Sequence, residues 1–257
     1  MSEQRRLRIF RGARSPKPEG KGGGGGELKE YIIEAGEGMV VLDAVHKIQA
    51  EQAPDLAVRW NCKAGKCGSC SAEINGQPKL MCMTRLSDYP AEQPLTITPM
   101  KAFPLIRDLV TDVSWNYEVN KRIPAFAPRA PDKPDGTWRM QQYEVERPQE
   151  FRKCIECFLC QDVCHVLRAH GKHQEFIGPA FLVRAAAYET HPLDVADRRD
   201  FLKTEGGIAY CNITKCCTEV CPESITITDN AIIPLKERVV DAHYDPLAAL
   251  WRKLTGK

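Results

Sequence analysis

The first part of the chain alternates apolar and polar positions, a pattern that predicts strands. Arg5–Arg11 carries Leu7 and Ile9 at alternate positions, and Leu28–Glu34 follows the same pattern less cleanly. Pro and Gly residues fill Ser15–Gly26 between them, and this segment ends in five consecutive glycines. Because such a composition is typical of a flexible loop, we predict a hairpin with a long insertion.

Beyond the predicted hairpin, the sequence predicts a helix and then several short strands. The apolar spacing predicts a helix over Val41–Glu51, which includes Val41, Leu42, Val45 and Ile48. Further strands are predicted at Ser71–Ile74, Lys79–Met83 and Leu95–Thr98, with a type I′ turn at Asn75-Gly76. This order of elements predicts a small α+β domain over residues 1–103.

Helices and a Pro-rich linker are predicted beyond that domain. Phe103–Tyr117 has apolar residues at helical spacing, whereas Ile123–Gly136 contains four prolines and favours extended backbone. Two further helices are predicted, at Pro179–Tyr188 and Ile232–Val240. We therefore expect a connecting helix and linker over residues 104–140 and a mostly helical domain over residues 141–257.

The last residues form an amphipathic stretch, Asp245–Lys257. One helical face of this stretch carries Leu247, Leu250, Trp251 and Leu254. Such a face could contact a membrane surface or pack against a partner subunit.

Charge and composition exclude several classes of protein. The chain has 257 residues with 36 basic and 34 acidic ones, a formal net charge of +2, so nucleic acid is not an expected partner. It contains no apolar run of about 18 residues, so no bilayer-spanning helix is expected. No apolar signal-peptide core follows the first residues, and we therefore expect a reducing compartment. The 12 cysteines then indicate metal ligation rather than disulfides.

A first group of four cysteines has the spacing of a plant-type [2Fe–2S] site. It consists of Cys62, Cys67, Cys70 and Cys82. Gly65 and Gly68 within the loop allow the backbone to approach and to direct N–H groups at sulfur. The alternative is a structural zinc site, but such sites favour two close cysteine pairs rather than three cysteines in one loop.

A second group matches the two-cluster bacterial ferredoxin spacing with one ligand position missing. Since the fourth cysteine of each run serves the other cluster, two ligand sets are predicted. The [4Fe–4S] set is Cys154, Cys157, Cys160 and Cys221, and the second set is Cys164, Cys211 and Cys217. Thr214 stands where a further ligand would be, and three ligands indicate [3Fe–4S].

The twelfth cysteine, Cys216, leaves one alternative open. It could supply a fourth ligand and restore a [4Fe–4S] cluster. In a turn or helix, however, its side chain points about 100° away from that of neighbouring Cys217, which favours an idle cysteine.

The chain resembles the iron–sulfur subunit of succinate dehydrogenase and fumarate reductase along nearly its whole length. The resemblance is carried by CKAGKCGSCSAEINGQPKLMC (62–82), PLIRDLVTDVSWNY (104–117), CIECFLCQDVC (154–164) and CNITKCCTEVCP (211–222). It implies an α+β architecture in which a β-grasp [2Fe–2S] ferredoxin domain precedes an α-helical ferredoxin domain.

The same resemblance implies partners and an electron route. A flavoprotein subunit with FAD would oxidise succinate to fumarate, and electrons would pass through [2Fe–2S], [4Fe–4S] and [3Fe–4S] to quinone at a membrane-anchor subunit. The chain would be the electron-transfer subunit without a substrate-converting site of its own. It would be peripheral on the cytoplasmic side of a bacterial cell membrane. The alternative is the iron–sulfur subunit of another flavin dehydrogenase or a heterodisulfide-type reductase.

Three positions depart from the family pattern around the quinone pocket. His165 replaces Pro, Ala169 replaces Trp, and Asn212 replaces His. No quinone site is therefore carried over from the family. His165 is a candidate for hydrogen-bonding quinone or relaying its protons, because imidazole titrates near neutral pH. The alternative role for His165 is a bond to local backbone.

Overall fold

The computed structural model describes residues 3–13, 25–246 and 254. Contacts divide the chain into two compact units that do not follow chain order. The first unit comprises Met1–Trp115, Ile155–Gly171 and Val220–Pro222, and the second comprises Asn116–Cys154, Lys172–Glu219 and Glu223–Lys257. The sequence-based domain bounds remain a prediction.

The first unit is built on a mixed sheet. Its strands are β1 (Glu3–Ala13), β2 (Gly25–Ala35), β3 (Ser71–Ile74), β4 (Gln77–Leu80), β5 (Leu95–Thr98), β6 (Leu105–Arg107) and β7 (Val110–Thr111). Among the described residues, they follow the order β4-β3-β5-β1-β6-β7, and β2 also pairs with β1. β1 runs antiparallel to β2 and parallel to β5, so it lies at the centre of the sheet.

Helices occur in both units. In chain order they are α1 (Val41–Glu51), α2 (Ser114–Arg122), α3 (Gln142–Gln149), α4 (Leu159–Val163), α5 (His165–Arg168), α6 (Pro179–Glu189), α7 (Arg199–Lys203), α8 (Cys216–Glu219) and α9 (Ile233–Tyr244). Short 3₁₀ turns lie at Leu86–Asp88, Glu150–Lys153 and Ile208–Tyr210, and a π-helical turn at Ile227–Ile232 precedes α9.

Several predicted elements are confirmed. α1, β3 and β5 have the predicted bounds, and the predicted strands and helices around β1, β2, α6 and α9 are present. Asn75 and Gly76 both have left-handed backbone, with φ of 48° and 78°, as a type I′ turn requires. Residues 15–24 of the glycine-rich insertion and most of the amphipathic tail lie outside the described residues, whereas Gly25 and Gly26 belong to β2.

Hydrophobic burial explains why β1, β2 and α1 pack together. The alternating residues Leu7 and Ile9 of β1 are fully buried, and Tyr31 and Ile33 face the same core from β2. α1 adds its apolar stripe, and the core continues to Leu159 of α4. The cysteine-bearing segment around α4 is therefore part of the same hydrophobic core as the sheet.

The predicted helix at Phe103–Tyr117 is wrong over its first part. The chain forms the β6–β7 hairpin there, and α2 begins only at Ser114. Asp108 has a left-handed φ of 49° and is 2% exposed. Its carboxylate accepts hydrogen bonds from the N–H groups of Gly12 and Ala57 and from Arg11 Nε, at 3.0, 2.8 and 3.1 Å. These tertiary contacts stabilise the hairpin against the local helical preference.

The predicted strand at Lys79–Met83 is also displaced. β4 begins two residues earlier and ends at Leu80, and a turn follows. Thr84 Oγ1 donates to the Leu80 carbonyl at 2.9 Å and closes this turn. Cys82 consequently comes from a turn rather than from a strand.

A buried guanidinium organises part of the second unit. Arg198 has no exposed surface and pairs with Asp194 at 2.8 Å and with Glu189 at 3.5 Å. It also donates to the carbonyls of Pro124 and Ala125, both at 2.8 Å. Arg198 thereby holds the Pro-rich segment through backbone groups that make no regular secondary structure.

No helix among the described residues has both the length and the apolar character that a membrane crossing needs.

Replacing Asp108 with Ala should destabilise the first unit. Two part-buried N–H groups and Arg11 would lose their acceptor, and we expect a loss of about 3 kcal/mol in the free energy of unfolding. Urea denaturation of the full-length chain, followed by circular dichroism, measures this loss. Asp55→Ala is the control, because Asp55 also pairs with Arg11 but its side chain is 61% exposed. Equal effects of the two changes would contradict the role given to Asp108.

Replacing Arg198 with Met should destabilise the second unit. The change leaves the buried carboxylate of Asp194 without its ion-pair partner, whereas Glu189 keeps its pair with Arg238. Breaking a buried pair in this way costs about 3–5 kcal/mol. The exposed neighbour Arg199, which pairs with Asp197, provides the matched control Arg199→Met with an expected loss of about 0–1 kcal/mol. Thermal unfolding of the two variants compares them. Similar thermal unfolding midpoints for the two variants would show that Arg198 is dispensable for the stability of the second unit.

Candidate iron–sulfur centres

Backbone N–H groups face the sulfur atoms of the first cysteine loop. The N–H groups of Ala64 and Lys66 each donate to Cys62 Sγ at 3.3 Å, and the N–H of Cys62 donates to Cys67 Sγ at 3.5 Å. Donors of this kind stabilise thiolates rather than thiols. The loop therefore has the electrostatics of a thiolate-ligated cluster site.

Left-handed backbone winds this loop tightly. Lys63, Gly65 and Gly68 have φ of 55°, 67° and 65°. A side chain at Gly65 would place its Cβ 2.9 Å from Met83 Sδ. Glycine is favoured there by the left-handed backbone, whereas the exposed side chain of Met83 could move away from a Cβ.

The structure brings together the four predicted [2Fe–2S] ligands. The N–H of Cys62 donates a hydrogen bond to Cys67 Sγ, Cys67 interacts electrostatically with Cys70, and Cys70 is hydrogen-bonded to Cys82. Burial opposes ionisation of Cys67, but hydrogen bonds from Cys62 and Ser69 lower its pKa to about 6. Burial raises the pKa of the Cys70 thiol to about 12. A bound cation would be needed to ionise Cys70 near neutral pH, and the iron of a cluster would supply this charge.

The first unit also holds part of the second cysteine group. Cys157 lies just before α4, between the left-handed residues Glu156 (φ 53°) and Phe158 (φ 60°), and Cys160 is the second residue of α4. Cys164 separates α4 from α5, and Cys221 belongs to the same unit.

The two cysteine motifs of the first unit meet backbone to backbone. A Cβ on Gly68 would lie 2.5 Å from Cys157 Cα, so only glycine permits this approach. Ser71 Oγ lies 2.9 Å from the Gly68 carbonyl and 2.8 Å from the Cys157 carbonyl, and its hydroxyl joins the two segments. Nothing in the cysteine spacing indicated this role for Ser71.

A buried carboxyl pair lies beside the same segments. Glu73 is fully buried in β3 and pairs with Arg168 and Lys101, both at 2.8 Å. Burial and the neighbouring Glu73 raise the pKa of Asp162 to about 7, against the opposing hydrogen bond from the N–H of Ala102. The sequence showed only a charged residue, Glu73, within a short predicted strand, and the burial of that strand became visible in the structure.

The second unit holds Cys154, Cys211 and Cys217. Cys154 follows the 3₁₀ turn Glu150–Lys153, and Lys236 Nζ donates to the Cys211 carbonyl at 2.7 Å. Cys217 Sγ lies 3.5 Å from Thr228 Oγ1, and the two sulfur-bearing residues Cys211 and Cys217 interact electrostatically. Burial raises the pKa of Cys217, and the hydrogen bond with Thr228 opposes this rise.

Cys216 and His165 each make hydrogen-bond contacts with residues close to them in the chain. Cys216 Sγ lies 3.6 Å from both the carbonyl and the hydroxyl oxygen of Thr214. His165 is the first residue of α5 and is half-buried, and its carbonyl accepts from the N–H groups of Ala169 and His170. The proposed quinone role of His165 stays a prediction.

No group of three or more His, Cys, Asp or Glu side chains among the described residues is arranged to hold a single metal ion. An iron–sulfur cluster distributes its thiolate ligands over several iron atoms.

Comparisons with known proteins match both cysteine groups. A family model described as a 2Fe-2S iron-sulfur cluster binding domain matches residues 7–118, and one described as a 4Fe-4S dicluster domain matches residues 150–225. The fumarate reductase iron-sulfur subunit of Mycobacterium tuberculosis is 35% identical over 205 residues, 77% of this chain and 80% of that protein. The succinate dehydrogenase iron-sulfur subunit of Bacillus subtilis is 32% identical over 190 residues, 70% and 71% of the two chains.

A solved structure shows the same fold. A chain of the Mycobacterium smegmatis Sdh1 complex in the apo form has a TM-score of 0.89 and 56% sequence identity, and the match covers 96% of this chain and 100% of that one. The family models account for both cysteine groups, and the relatives match over most of their length. The chain therefore belongs to the iron–sulfur subunits of the succinate dehydrogenase and fumarate reductase family, the electron-transfer subunits of an oxidoreductase complex.

Proposed function

We propose that this subunit carries electrons between a flavoprotein subunit with FAD, where succinate and fumarate interconvert, and quinone at a membrane-anchor subunit. The route would use [2Fe–2S], [4Fe–4S] and [3Fe–4S] centres in that order. The observation that carries this proposal is the presence of three ordered cysteine sets, the first of which is gathered in a loop with N–H groups directed at sulfur.

The ligand sets of the proposal follow the sequence. The [2Fe–2S] centre would be held by Cys62, Cys67, Cys70 and Cys82, the [4Fe–4S] centre by Cys154, Cys157, Cys160 and Cys221, and the [3Fe–4S] centre by Cys164, Cys211 and Cys217. The clusters, when bound, supply one-electron redox chemistry at potentials that depend on hydrogen bonds and exposure. The chain's own residues hold the thiolates, direct N–H groups at them and limit access of water.

The contact of Gly68 with Cys157 supports an electron path within the first unit. It places the backbone of the first cysteine loop against a predicted ligand of the next centre. The bond from Ser71 to the Cys157 carbonyl keeps this contact in place. A short separation of the first two centres is what a one-electron route requires.

Partners and location belong to the same proposal. Relatives are subunits of a multi-subunit complex, and the chain accordingly has partner subunits. We assign it to the cytoplasmic side of a cell membrane, bound to the anchor. The domains would be a β-grasp domain over residues 1–103, a connection over residues 104–140 and a helical ferredoxin domain over residues 141–257.

Low-temperature EPR of the anaerobically purified complex tests this assignment. We expect a [3Fe–4S] signal in the oxidised sample and a [2Fe–2S] signal after dithionite reduction. Cys217→Ser should abolish or alter the first signal, because a predicted ligand is lost. The matched control is Cys216→Ser, which should leave both signals unchanged since Cys216 Sγ faces Thr214. The outcome would be different if the oxidised wild-type complex lacked the [3Fe–4S] signal and the reduced complex showed two [4Fe–4S] signals. Cys216 would then be a ligand.

Replacing Gly68 with Ala should disrupt cluster assembly. Its Cβ would lie 2.5 Å from Cys157 Cα and 2.9 Å from the Cys157 nitrogen, so the two motifs would have to separate. Iron content and the amplitude of the [2Fe–2S] signal in the purified complex measure the loss. Gly76→Ala is the control, because Gly76 also has left-handed backbone but its Cβ would meet no atom within 4 Å. If both variants retained full iron content, the close contact would have no role in assembly.

A further inference from the structure

A hydroxyl group in the second unit lies next to a predicted cluster ligand. Thr228 has no exposed surface and is the second residue of the π-helical turn Ile227–Ile232. Its Oγ1 lies 3.5 Å from Cys217 Sγ, which is within hydrogen-bond distance for sulfur. π-Helical turns are rare and occur frequently at functional sites.

The neighbouring Thr218 determines which way the proton of Thr228 points. The N–H of Thr228 donates to Thr218 Oγ1 at 3.0 Å, and Thr218 Oγ1 donates in turn to Thr228 Oγ1 at 3.0 Å. Thr228 Oγ1 therefore already accepts one hydrogen bond, and its own proton is left for Cys217 Sγ. A metal-bound cysteine is a thiolate and can only accept a hydrogen bond, so the hydroxyl of Thr228 must be the donor to Cys217.

The π-helical turn is held from two sides. Glu150 accepts from the N–H of Thr226 at 2.7 Å and from Asn230 Nδ2 at 2.6 Å. Lys215, which precedes the ligand helix α8, pairs with Asp229 at 2.8 Å. The turn and the cysteine segment are thus tied together independently of the hydroxyl itself, so Thr228 has a defined position relative to Cys217.

We propose that Thr228 is a positioning residue that donates a hydrogen bond to the Cys217 thiolate and raises the reduction potential of the centre bound there. This inference rests on the proposed function, in which Cys217 is a [3Fe–4S] ligand. Reduction adds one electron, which comes from the [4Fe–4S] centre, and breaks no bond at Thr228. The added negative charge spreads onto the sulfur atoms, so a donor to sulfur stabilises the reduced state more than the oxidised state.

The surroundings of Cys217 make this donor important. Cys217 is half-buried, and the hydroxyl of Thr228 lies 3.5 Å from its sulfur. The same turn also buries the apolar side chains of Ile227, Ala231 and Ile232, which offer no hydrogen-bond donor. A thiolate in such a place costs more free energy in the reduced state.

The test is an EPR-monitored redox titration of membranes that contain the complete complex. Thr228→Val removes the hydroxyl with little change in shape. We expect its [3Fe–4S] midpoint potential to fall by about 59 mV, which for one electron corresponds to a tenfold change in the reduction equilibrium. Thr228→Ser keeps the hydroxyl and should keep the wild-type potential. The [2Fe–2S] potential should stay unchanged in every variant.

Thr190→Val is the control for loss of a threonine hydroxyl in the second unit. Its hydroxyl donates to the Ala186 carbonyl at 2.7 Å, and no change in the [3Fe–4S] potential is expected. A structural role for Thr228 alone would alter the amount of assembled complex without moving the potential. An unchanged potential in Thr228→Val, or an equal fall in Thr228→Ser, would overturn the proposal.

A second variant covers the case in which Thr228→Val does not assemble. Thr218→Val leaves Thr228 in place but removes the donor that orients its proton, and a smaller fall in the same potential is expected. No fall in this variant would overturn the proposal. A wild-type complex without a [3Fe–4S] signal would instead refute the ligand assignment of the proposed function, so the two failures are distinguishable.

Discussion

Thiolates must lie close together and out of bulk water, and this electrostatic constraint shapes the cysteine-bearing segments. Burial alone raises the pKa of Cys70 and Cys217, so donors have to compensate where charge accumulates. In the first loop the compensation comes from backbone N–H groups that left-handed residues turn towards sulfur. At Cys217 it comes from the hydroxyl of Thr228. The same physical requirement is met by different parts of the chain.

The remaining structure supplies rigid support for these segments. In the first unit a hydrophobic core joins the sheet, α1 and the start of α4, so the two cysteine motifs share one packed body. Gly68 and Ser71 then hold Cys157 against the first loop. In the second unit Arg198 and Glu150 hold irregular backbone through carbonyl and N–H groups. Buried charges are costly, and the fully buried guanidinium of Arg198 is compensated by two carboxylates and two carbonyls.

Two sequence-based predictions were wrong, and each failed for a tertiary reason. The helical spacing at Phe103–Tyr117 is real, but Asp108 accepts hydrogen bonds from Gly12 and Ala57 far away in the chain, which favours a hairpin. The strand predicted at Lys79–Met83 ends early because the chain turns after Leu80 and presents Cys82 from that turn. Local periodicity contains no information about partners that lie distant in sequence.

The sequence by itself determined the family, the fold class, most elements of the sheet and the order of the cysteine sets. Those features depend on spacing and periodicity, which are local and can be counted along a chain. Tertiary structure alone decided that Gly68 touches Cys157, that Glu73 is buried beside Asp162, and that Thr228 faces Cys217. Each of these contacts joins residues whose proximity depends on how the chain packs, and packing is a property of the whole core rather than of any segment.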